Sequence, residues 1–280
     1  LYAALGTTLA AMGQLDEARV AFIRARSLAP THLQTVFSLG NVYFESGEID
    51  LAIEAYTEAL ELRPNYARAH FNLGHARKER GELLEAAAAF RRALAAEPRF
   101  YKARFMLAYI YALLDLHQEA ISEYLRTIEQ SPSYVKAHYN LGNCYFKRGM
   151  IDEALRAYEA ILELEPLHAR ARFAIGQAYS SEGDYARAIG AFEHALALRA
   201  DFPECHFGYA KALEATGRIA EAVHHYRVYV NDPACGDQRA EVVAHIDGLT
   251  AITLRFRPPV ERKLATVVDT MGVGDDTSGW

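Results

Sequence analysis

Residues 135–166 read VKAHYNLGNCYFKRGMIDEALRAYEAILELEP, and this stretch decides the fold. It closes on a proline that recurs along the chain at intervals of 34 residues: Pro30, Pro64, Pro98, Pro132 and Pro166. Val135 is numbered position 1 of this unit, so that the proline is position 32. A fixed period of this length is the signature of a repeat protein, in which each unit is one small structural element.

Four further columns appear when the units are aligned on the proline. Positions 7 and 8 are Leu-Gly or Ile-Gly at residues 5–6, 39–40, 73–74, 141–142 and 175–176. Position 15 is glycine at Gly13, Gly47, Gly81, Gly149, Gly183 and Gly217. Position 20 is alanine at Ala18, Ala52, Ala86, Ala120, Ala154, Ala188 and Ala222. Position 24 is aromatic at Phe22, Tyr56, Phe90, Tyr124, Tyr158, Phe192 and Tyr226.

Each column has a role in a pair of packed helices. The small residues at positions 8 and 20 let two antiparallel helices, A and B, approach closely, and the ring at position 24 fills the space between neighbouring hairpins. Glycine at position 15 can adopt the left-handed conformation that ends helix A. Proline at position 32 has no amide hydrogen, so helix B stops near it. The apolar residues between these columns follow helical spacing.

This pattern resembles the tetratricopeptide repeat family over roughly residues 1–234, as seven units. The resemblance implies an all-α fold, a right-handed superhelical solenoid of antiparallel helix hairpins. The fourth unit departs from the pattern with Ala108 at position 8 and Asp115 at position 15, and the sixth has Ala200 in place of the proline. Because Leu1 enters the first unit at position 3 without a polar capping residue, we expect the array to continue before it.

Residues 235–256 are predicted to form a capping helix that covers the last repeat. Its buried face is predicted from one apolar stripe: Val242, Val243, Ile246, Leu249 and Ile252. The tail at 257–280 carries a possible short amphipathic helix whose apolar stripe is Val260, Leu264, Val267, Val268 and Met271. The acidic, glycine-rich end of the tail, up to Trp280, would dock on the array or serve as a lid over the capping helix.

Composition and motifs favour a binding protein without catalytic activity. The net charge of −6 argues against a nucleic-acid-binding protein, and no apolar run is long enough to span a bilayer. Neither a phosphate-binding loop nor a GxSxG motif occurs. The three cysteines form no CxxC pair, which favours a reducing compartment, so a cytoplasmic protein is expected. We expect no cofactor.

Histidine recurs at position 4 of alternate units, at His70, His138 and His206, with Arg104 and Arg172 between them. Successive members stand a full repeat apart, which is too far for them to share one metal ion. A zinc site that combines His224 or His225 with Cys235 is a remote alternative. We therefore expect these side chains to have a packing or solvent-facing role, and no metal site.

In the resembled family, helix A lines a concave groove, and ligand contacts come from positions 2, 5, 6, 9, 12 and 13. Position 2 carries a basic row on an acidic chain: Arg68, Lys102, Lys136 and Arg170. Position 5 carries rings, either partner anchors or partly core: Phe37, Phe71, Phe105, Tyr139 and Phe173, followed by Phe207. Side-chain amides at positions 6 and 9 complete the predicted partner-binding residues: Asn41, Asn72 and Asn143.

Two ligand-binding patterns of the family are matched only in part. The five-residue carboxylate clamp of chaperone adaptors has three counterparts here, Asn41, Asn72 and Lys102, but Phe37 and Met106 stand where it needs polar or charged groups. The asparagine ladder of O-linked N-acetylglucosamine transferases is interrupted, for example at Ser38. Both comparisons imply amides that could hold an extended peptide, and the basic row favours an acidic or carboxylate-bearing segment.

The sequence therefore predicts a scaffold that binds a peptide or helix of a partner protein in its concave groove. The alternative is the recruiting portion of a larger enzyme, such as a glycosyltransferase, with its catalytic domain elsewhere in the full chain. A third hypothesis is self-association through the open first repeat or the tail. The full-length reading frame separates the first two hypotheses, and concentration-dependent light scattering tests the third.

Overall fold

The structure, a computed structural model, describes residues 1–255, without the side chains of Ala234 and residues 252–255, and in this range it contains only helices. The helices are α1 Tyr2–Ala11, α2 Leu15–Leu28, α3 Leu33–Glu45, α4 Ile49–Leu62, α5 Ala67–Glu79, α6 Leu83–Ala96, α7 Tyr101–Leu113, α8 His117–Gln130, α9 Val135–Lys147, α10 Ile151–Leu164, α11 Ala169–Ser181, α12 Tyr185–Leu198, α13 Pro203–Ala215, α14 Ile219–Asn231, a 3-10 helix Pro233–Gln238, and α15 Arg239–Arg255. The predicted tail lies outside the described residues.

The 34-residue period appears as an alternation of helix lengths. Helix A of the second to seventh repeats has 13 residues, and helix B of the first six has 14. Each A helix packs against the B helix that follows it. Within each body the B helix also packs against the next A helix, as for α2 and α3, α4 and α5, α6 and α7, α8 and α9, and α12 and α13. The chain divides into an N-terminal body, residues 1–160, and a C-terminal body from residue 161 onward. The boundaries proposed for the repeat array, capping helix and tail stay a prediction, as does the handedness of the superhelix.

The turn between helices A and B depends on a left-handed residue at position 15. All six glycines of this column have positive φ, between 71° and 84°. The fourth repeat keeps this conformation without glycine, since Asp115 has a φ of 57°. Because aspartate adopts this region at a cost that glycine avoids, the fourth turn is strained relative to the others. The prediction that position 15 ends helix A is confirmed.

The ring at position 24 lies directly on the glycine at position 8 of its own hairpin. A Cβ atom built on Gly40 would stand 2.7 Å from the Tyr56 ring, and one on Gly142 would stand 2.4 Å from the Tyr158 ring. The alanine at position 20 is fully buried in all seven repeats. These contacts confirm the predicted close approach of the two helices.

Position 4 forms a hydrogen bond that ties each of the third to seventh repeats to the loop before it. His70 Nε2 lies 2.8 Å from the carbonyl oxygen of Pro64, and the Arg104 guanidinium donates to that of Pro98 at 3.0 Å. The same bond recurs between His138 and Pro132, Arg172 and Pro166, and His206 and Ala200. In all of them the acceptor is the carbonyl of position 32. The side chains at position 4 therefore have a structural role, because they hydrogen-bond to a main-chain carbonyl of the preceding repeat.

Helix α15 packs on the last hairpin of the C-terminal body. Val242, Ile246 and Leu249 are buried in the same cluster as Tyr226 and Tyr229 of α14. The prediction that Val243 shares this face is wrong. Its side chain is 41% exposed, because it lies about 100° around the helix from Val242. The side chain of Ile252 lies outside the described part.

The contact between positions 8 and 24 predicts opposite effects for two glycine-to-alanine substitutions. Gly142→Ala forces a methyl group into the Tyr158 ring, and we expect it to destabilise the protein by about 1–3 kcal/mol. Gly190→Ala, inside α12 with nothing within 4 Å of the added Cβ, is expected to stabilise it by roughly 0.5–1 kcal/mol through helix propensity. Urea unfolding of both variants tests this, and a Gly142→Ala protein as stable as the wild type contradicts it.

The strained fourth turn predicts that Asp115→Gly raises stability. The glycine removes the cost of positive φ at Asp115, worth roughly 0.5–1 kcal/mol, and gives up only a long 3.6 Å contact with His117. Gly149→Asp, the reverse change at the same position of the next repeat, is expected to cost a similar amount. The two melting temperatures should move in opposite directions, and a fall in both contradicts the interpretation.

Candidate partner-binding face

One side of each A helix carries positions 2, 5, 6, 9, 12 and 13, and we call this side the A-helix face. At 100° per residue these positions fall on the side of the helix opposite to positions 4, 7 and 11. In the N-terminal body α1 contacts α3, α3 contacts α5, and α7 contacts α9. Neighbouring A-helix faces therefore adjoin within this body. Arg170 and Phe173 belong to the C-terminal body, on α11, and are described there.

All four members of the basic row are exposed. Arg68, Lys102 and Lys136 each follow the first residue of α5, α7 and α9 in the N-terminal body, and Arg170 has the same place in α11. Within the described part of the chain none of them forms an ion pair, whereas arginines on other surfaces do. Arg19, for example, pairs with Glu48 at 2.6 Å, and Arg80 pairs with Asp50 at 2.8 Å. The basic row thus keeps its charge available.

The rings at position 5 are held between two other rings. Phe37 lies with its centroid 5.9 Å from Tyr56 of its own hairpin and 5.0 Å from Tyr66 in the loop before the next hairpin. The same arrangement joins Phe90, Phe71 and Phe100, then Tyr124, Phe105 and Tyr134, and in the C-terminal body Phe192, Phe173 and Phe202. The position 5 ring therefore connects one repeat to the next.

The predicted anchors at position 5 differ in exposure, although their ring packing is alike. Phe37 and Phe105 are buried, at 7% and 8% exposure, and leave almost no ring surface for a partner. Phe71, Tyr139 and Phe173 are only partly buried. The ring at position 34 was missed by the sequence analysis, although Tyr66, Phe100, Tyr134 and Phe202 recur two residues after position 32. The recurrence of these rings at position 34 could have predicted that they pack against the rings at position 5.

Side-chain amides meet on the A-helix face between α3 and α5. Asn72 Nδ2 donates to Asn41 Oδ1 at 2.8 Å, and the Tyr56 hydroxyl donates to the same oxygen at 2.9 Å. Asn143 Oδ1 likewise accepts from Tyr158 at 2.8 Å. The oxygens of Asn41 and Asn143 are thus occupied by the protein. The Asn41 amide nitrogen and the Asn72 oxygen are not used in any of these bonds.

The paired amides lie in a cleft of about 310 Å³, the amide cleft. Its lining residues are Asn41, Phe44, Glu45, Tyr56, Asn72 and His75. A volume of this size is at the lower end of ordinary ligand pockets. Phe44, Glu45 and His75 occupy positions 12, 13 and 9, which are groove positions in the resembled family, but the sequence analysis did not single them out.

His75 is held neutral inside this cleft. Its pKa is lowered from 6.5 to about 4, chiefly by burial and in part by the nearby Lys78 ammonium, against the opposing effect of Glu79. Its ring packs edge-on against Phe71 and Phe90, at 4.6 and 5.5 Å between centroids. At neutral pH the imidazole therefore offers one donor and one acceptor but no charge.

In the part of the chain that the structure describes, no group of three or more histidine, cysteine, aspartate or glutamate side chains is arranged to hold a metal ion. No helix among residues 1–255 is both long and apolar enough to cross a membrane.

Comparison with known sequences shows the family. Five sequence models described as TPR or tetratricopeptide repeats match the chain, and together they cover most of it: residues 1–32, 40–79, 71–135, 135–167 and 179–231. The chain belongs to the tetratricopeptide repeat family. Among curated proteins, no sequence matches it.

Solved structures show the same fold. MamA is 28% identical, with 58% of this chain and 95% of that chain covered and a TM-score of 0.56. YrrB, described as a TPR protein with an unusual peptide-binding site, is 25% identical over 70% of this chain and 98% of its own, with a TM-score of 0.59. The C-terminal part of a TPR protein from Cytophaga hutchinsonii reaches 0.71 at 13% identity, with 85% and 98% covered.

The repeats and these neighbours point to a protein-interaction scaffold. Repeat scaffolds of this kind are generally not enzymes.

The neutral His75 predicts that stability falls in acid. Its pKa is about 4 in the folded protein and near 6.5 in the unfolded chain, so the unfolded state binds the extra proton between these values. The free energy of unfolding should therefore decrease as pH falls from about 6.5 to about 4, by up to about 1.4 kcal/mol per pH unit for one proton. His75→Gln uses the residue found at position 9 of the sixth repeat, Gln177, and is expected to flatten the slope.

Urea unfolding at pH 7 and pH 5 measures this slope. Burial also lowers the pKa values of His70 and His225, so part of the slope should survive in the variant. His194→Gln, at an exposed site, provides the matched control and should leave the slope unchanged. Equal slopes for wild type and His75→Gln contradict the assignment.

Proposed function

We propose that the A-helix face binds an acidic or carboxylate-bearing segment of a partner protein, in the groove expected from the repeat family. The basic row carries this proposal, because its exposed cations form no ion pair with any described residue, on a chain of net charge −6. An acidic segment lying along Arg68, Lys102 and Lys136 of the N-terminal body would be attracted over the 8–10 Å range of electrostatics at physiological salt. The charges would orient the segment and speed its association.

The amide cleft offers hydrogen-bonding groups for the extended backbone of a partner peptide. Asn41 can donate through Nδ2 and Asn72 can accept through Oδ1, which matches the carbonyl and N–H of a peptide unit. Because their mutual hydrogen bond fixes both side chains beforehand, little rotamer entropy remains to be lost on binding. YrrB, similar over 70% of this chain, is a TPR protein with a peptide-binding site, and this supports a peptide as the ligand.

The twelve predicted contact residues take four roles in this proposal. The basic row orients the acidic segment, the amides Asn41, Asn72 and Asn143 hold its backbone, and the exposed edges of Phe71, Tyr139 and Phe173 offer apolar contact. Phe37 and Phe105 act indirectly, by keeping the neighbouring helices in place. Recruitment to a larger enzyme would use the same face and differ only in what adjoins the array. Self-association through the first repeat or the tail stays a prediction.

Charge reversal along the basic row tests the proposal. In the variant Arg68→Glu, Lys102→Glu, Lys136→Glu and Arg170→Glu, we expect binding of labelled acidic peptides to weaken roughly 30-fold or more. The estimate takes about 0.5–1 kcal/mol for each exposed pair. Fluorescence anisotropy with a pool of acidic peptides at low and high salt gives the affinity, and circular dichroism checks that the helices are retained.

The matched control reverses four exposed cations outside the A-helix face: Arg24, Arg91, Arg99 and Arg227. It changes the net charge by the same amount, so its affinity should fall much less. An equal loss in both variants would mean that only overall charge matters and that the A-helix face is not the site. If peptides with blocked acidic groups bind as well as acidic ones, the partner is not acidic.

A further inference from the structure

Helix α5 carries polar and charged side chains on a second side, opposite its A-helix face. Arg68, Asn72 and His75 lie within about 60° of one another around the helix axis, while His70, Leu73 and Arg77 lie on the other side. The second group faces α4 and the loop that precedes α5, where the side chains of other repeats form ordinary core. We refer to this place as the back of α5.

Arg77 breaks the repeat pattern at this place. It occupies position 11, which is tyrosine in four other repeats, Tyr43, Tyr111, Tyr145 and Tyr179, and leucine in the remaining two, Leu9 and Leu213. Tyr43 is 8% exposed and Leu213 is fully buried, so position 11 is a packing position in those repeats. In the third repeat the cation replaces a ring at the junction with the second repeat.

A cleft of about 480 Å³ opens at this junction, and we call it the back cleft. It is lined by α4, the following loop, α5 and α6, through Thr57, Leu60, Glu61, Pro64, Asn65, His70, Leu73, Arg77, Arg92 and Ala95. This volume falls within the range of small-molecule sites. None of these residues belongs to the predicted partner-binding set.

The polar groups of the back cleft are only partly satisfied by the protein. His70 is only 6% exposed, and its Nε2 is bound to the Pro64 carbonyl, but its Nδ1 has no hydrogen-bond partner among the described residues. Arg77 Nε is buried and also has no partner within that part of the chain. Within the described residues neither Arg77 nor Arg92 forms an ion pair, although Glu61 lines the same cleft. Two cations against one carboxylate leave the cleft positive.

Such an arrangement costs free energy unless a ligand compensates it. A buried donor or acceptor without a partner is unfavourable, and the penalty is larger when the group is charged. Guanidinium groups pair best with planar or tetrahedral oxyanions, because two parallel N–H donors match two oxygens. The apolar wall at Leu60 and Leu73 would cover the body of a ligand larger than a bare ion.

We propose that the back cleft is a binding site for a small ligand with an oxyanion group, a carboxylate or a phosphate, held between Arg77 and Arg92. The ligand's second polar group, a hydroxyl or N–H donor, would bond to His70 Nδ1, since the Nε2 proton of the neutral ring is directed to Pro64. The site is separate from the A-helix face, and its occupation does not depend on whether that face binds an acidic peptide.

The test measures the melting temperature of the full chain in inorganic phosphate and in succinate, each against sodium chloride at equal ionic strength. We expect at least one of the two anions to raise it in the wild type, and the one that does so identifies the oxyanion. Arg77→Tyr restores the residue of the neighbouring repeats and should fold. It should lower anion affinity roughly tenfold or more, as expected for the loss of one charge-assisted hydrogen bond.

Two further variants separate this site from general ion effects. Glu61→Gln removes the opposing carboxylate and should strengthen anion binding, opposite in sign to Arg77→Tyr. The triple variant Arg68→Glu, Lys102→Glu and Lys136→Glu alters the A-helix face only and should keep the shift. If Arg77→Tyr does not fold, Arg77→Gln takes its place. The proposal is overturned if neither anion exceeds chloride in the wild type, or if the shift persists when Arg77 is replaced.

Discussion

In five of the seven hairpins, a ring lying on a glycine determines how close the two helices can come. With Gly142 under Tyr158, the helices approach until the ring fills the gap, and any Cβ at that position would overlap it. The contact fixes where the position 24 ring stands, and this ring is in turn the one on which the position 5 ring packs. The same tyrosine hydroxyl fixes Asn143 on the A-helix face. The candidate binding surface therefore rests on a steric contact in the interior of the hairpin.

Position 5 shows how far the sequence could predict the site. The period and its glycine, alanine and aromatic columns predict the hairpins, because each column reflects a steric requirement within a single hairpin. The exposure of Arg68 and Lys102 also follows from helical geometry alone. The burial of Phe37 and Phe105 does not, because position 5 lies at the border of the A-helix face. Phe71, with the same kind of neighbouring rings, is only partly buried.

The sequence could not predict the back cleft or the hydrogen bonds of position 4, for a related reason. Both depend on which residues of a neighbouring repeat pack against helix A, whereas the sequence period gives information only on contacts within one repeat. A histidine column such as His70 and His138 invites a metal-site hypothesis until the acceptor is known to be a backbone carbonyl. Arg77 reads as one irregular residue among seven repeats, and only the junction with α4 and α6 shows that the missing ring leaves a cleft.

The position 4 bond has a consequence for how such arrays can be rearranged. Its acceptor is a main-chain oxygen, which every residue possesses, and Ala200 serves as well as Pro132. The donor is histidine in some repeats and arginine in others, and both reach the same atom. This hydrogen bond is therefore not specific for a particular pair of repeats. Gene duplication, deletion or shuffling among the third to seventh repeats would therefore preserve this bond at their junctions, so that part of the array can change its length and binding surface without new contacts at position 4.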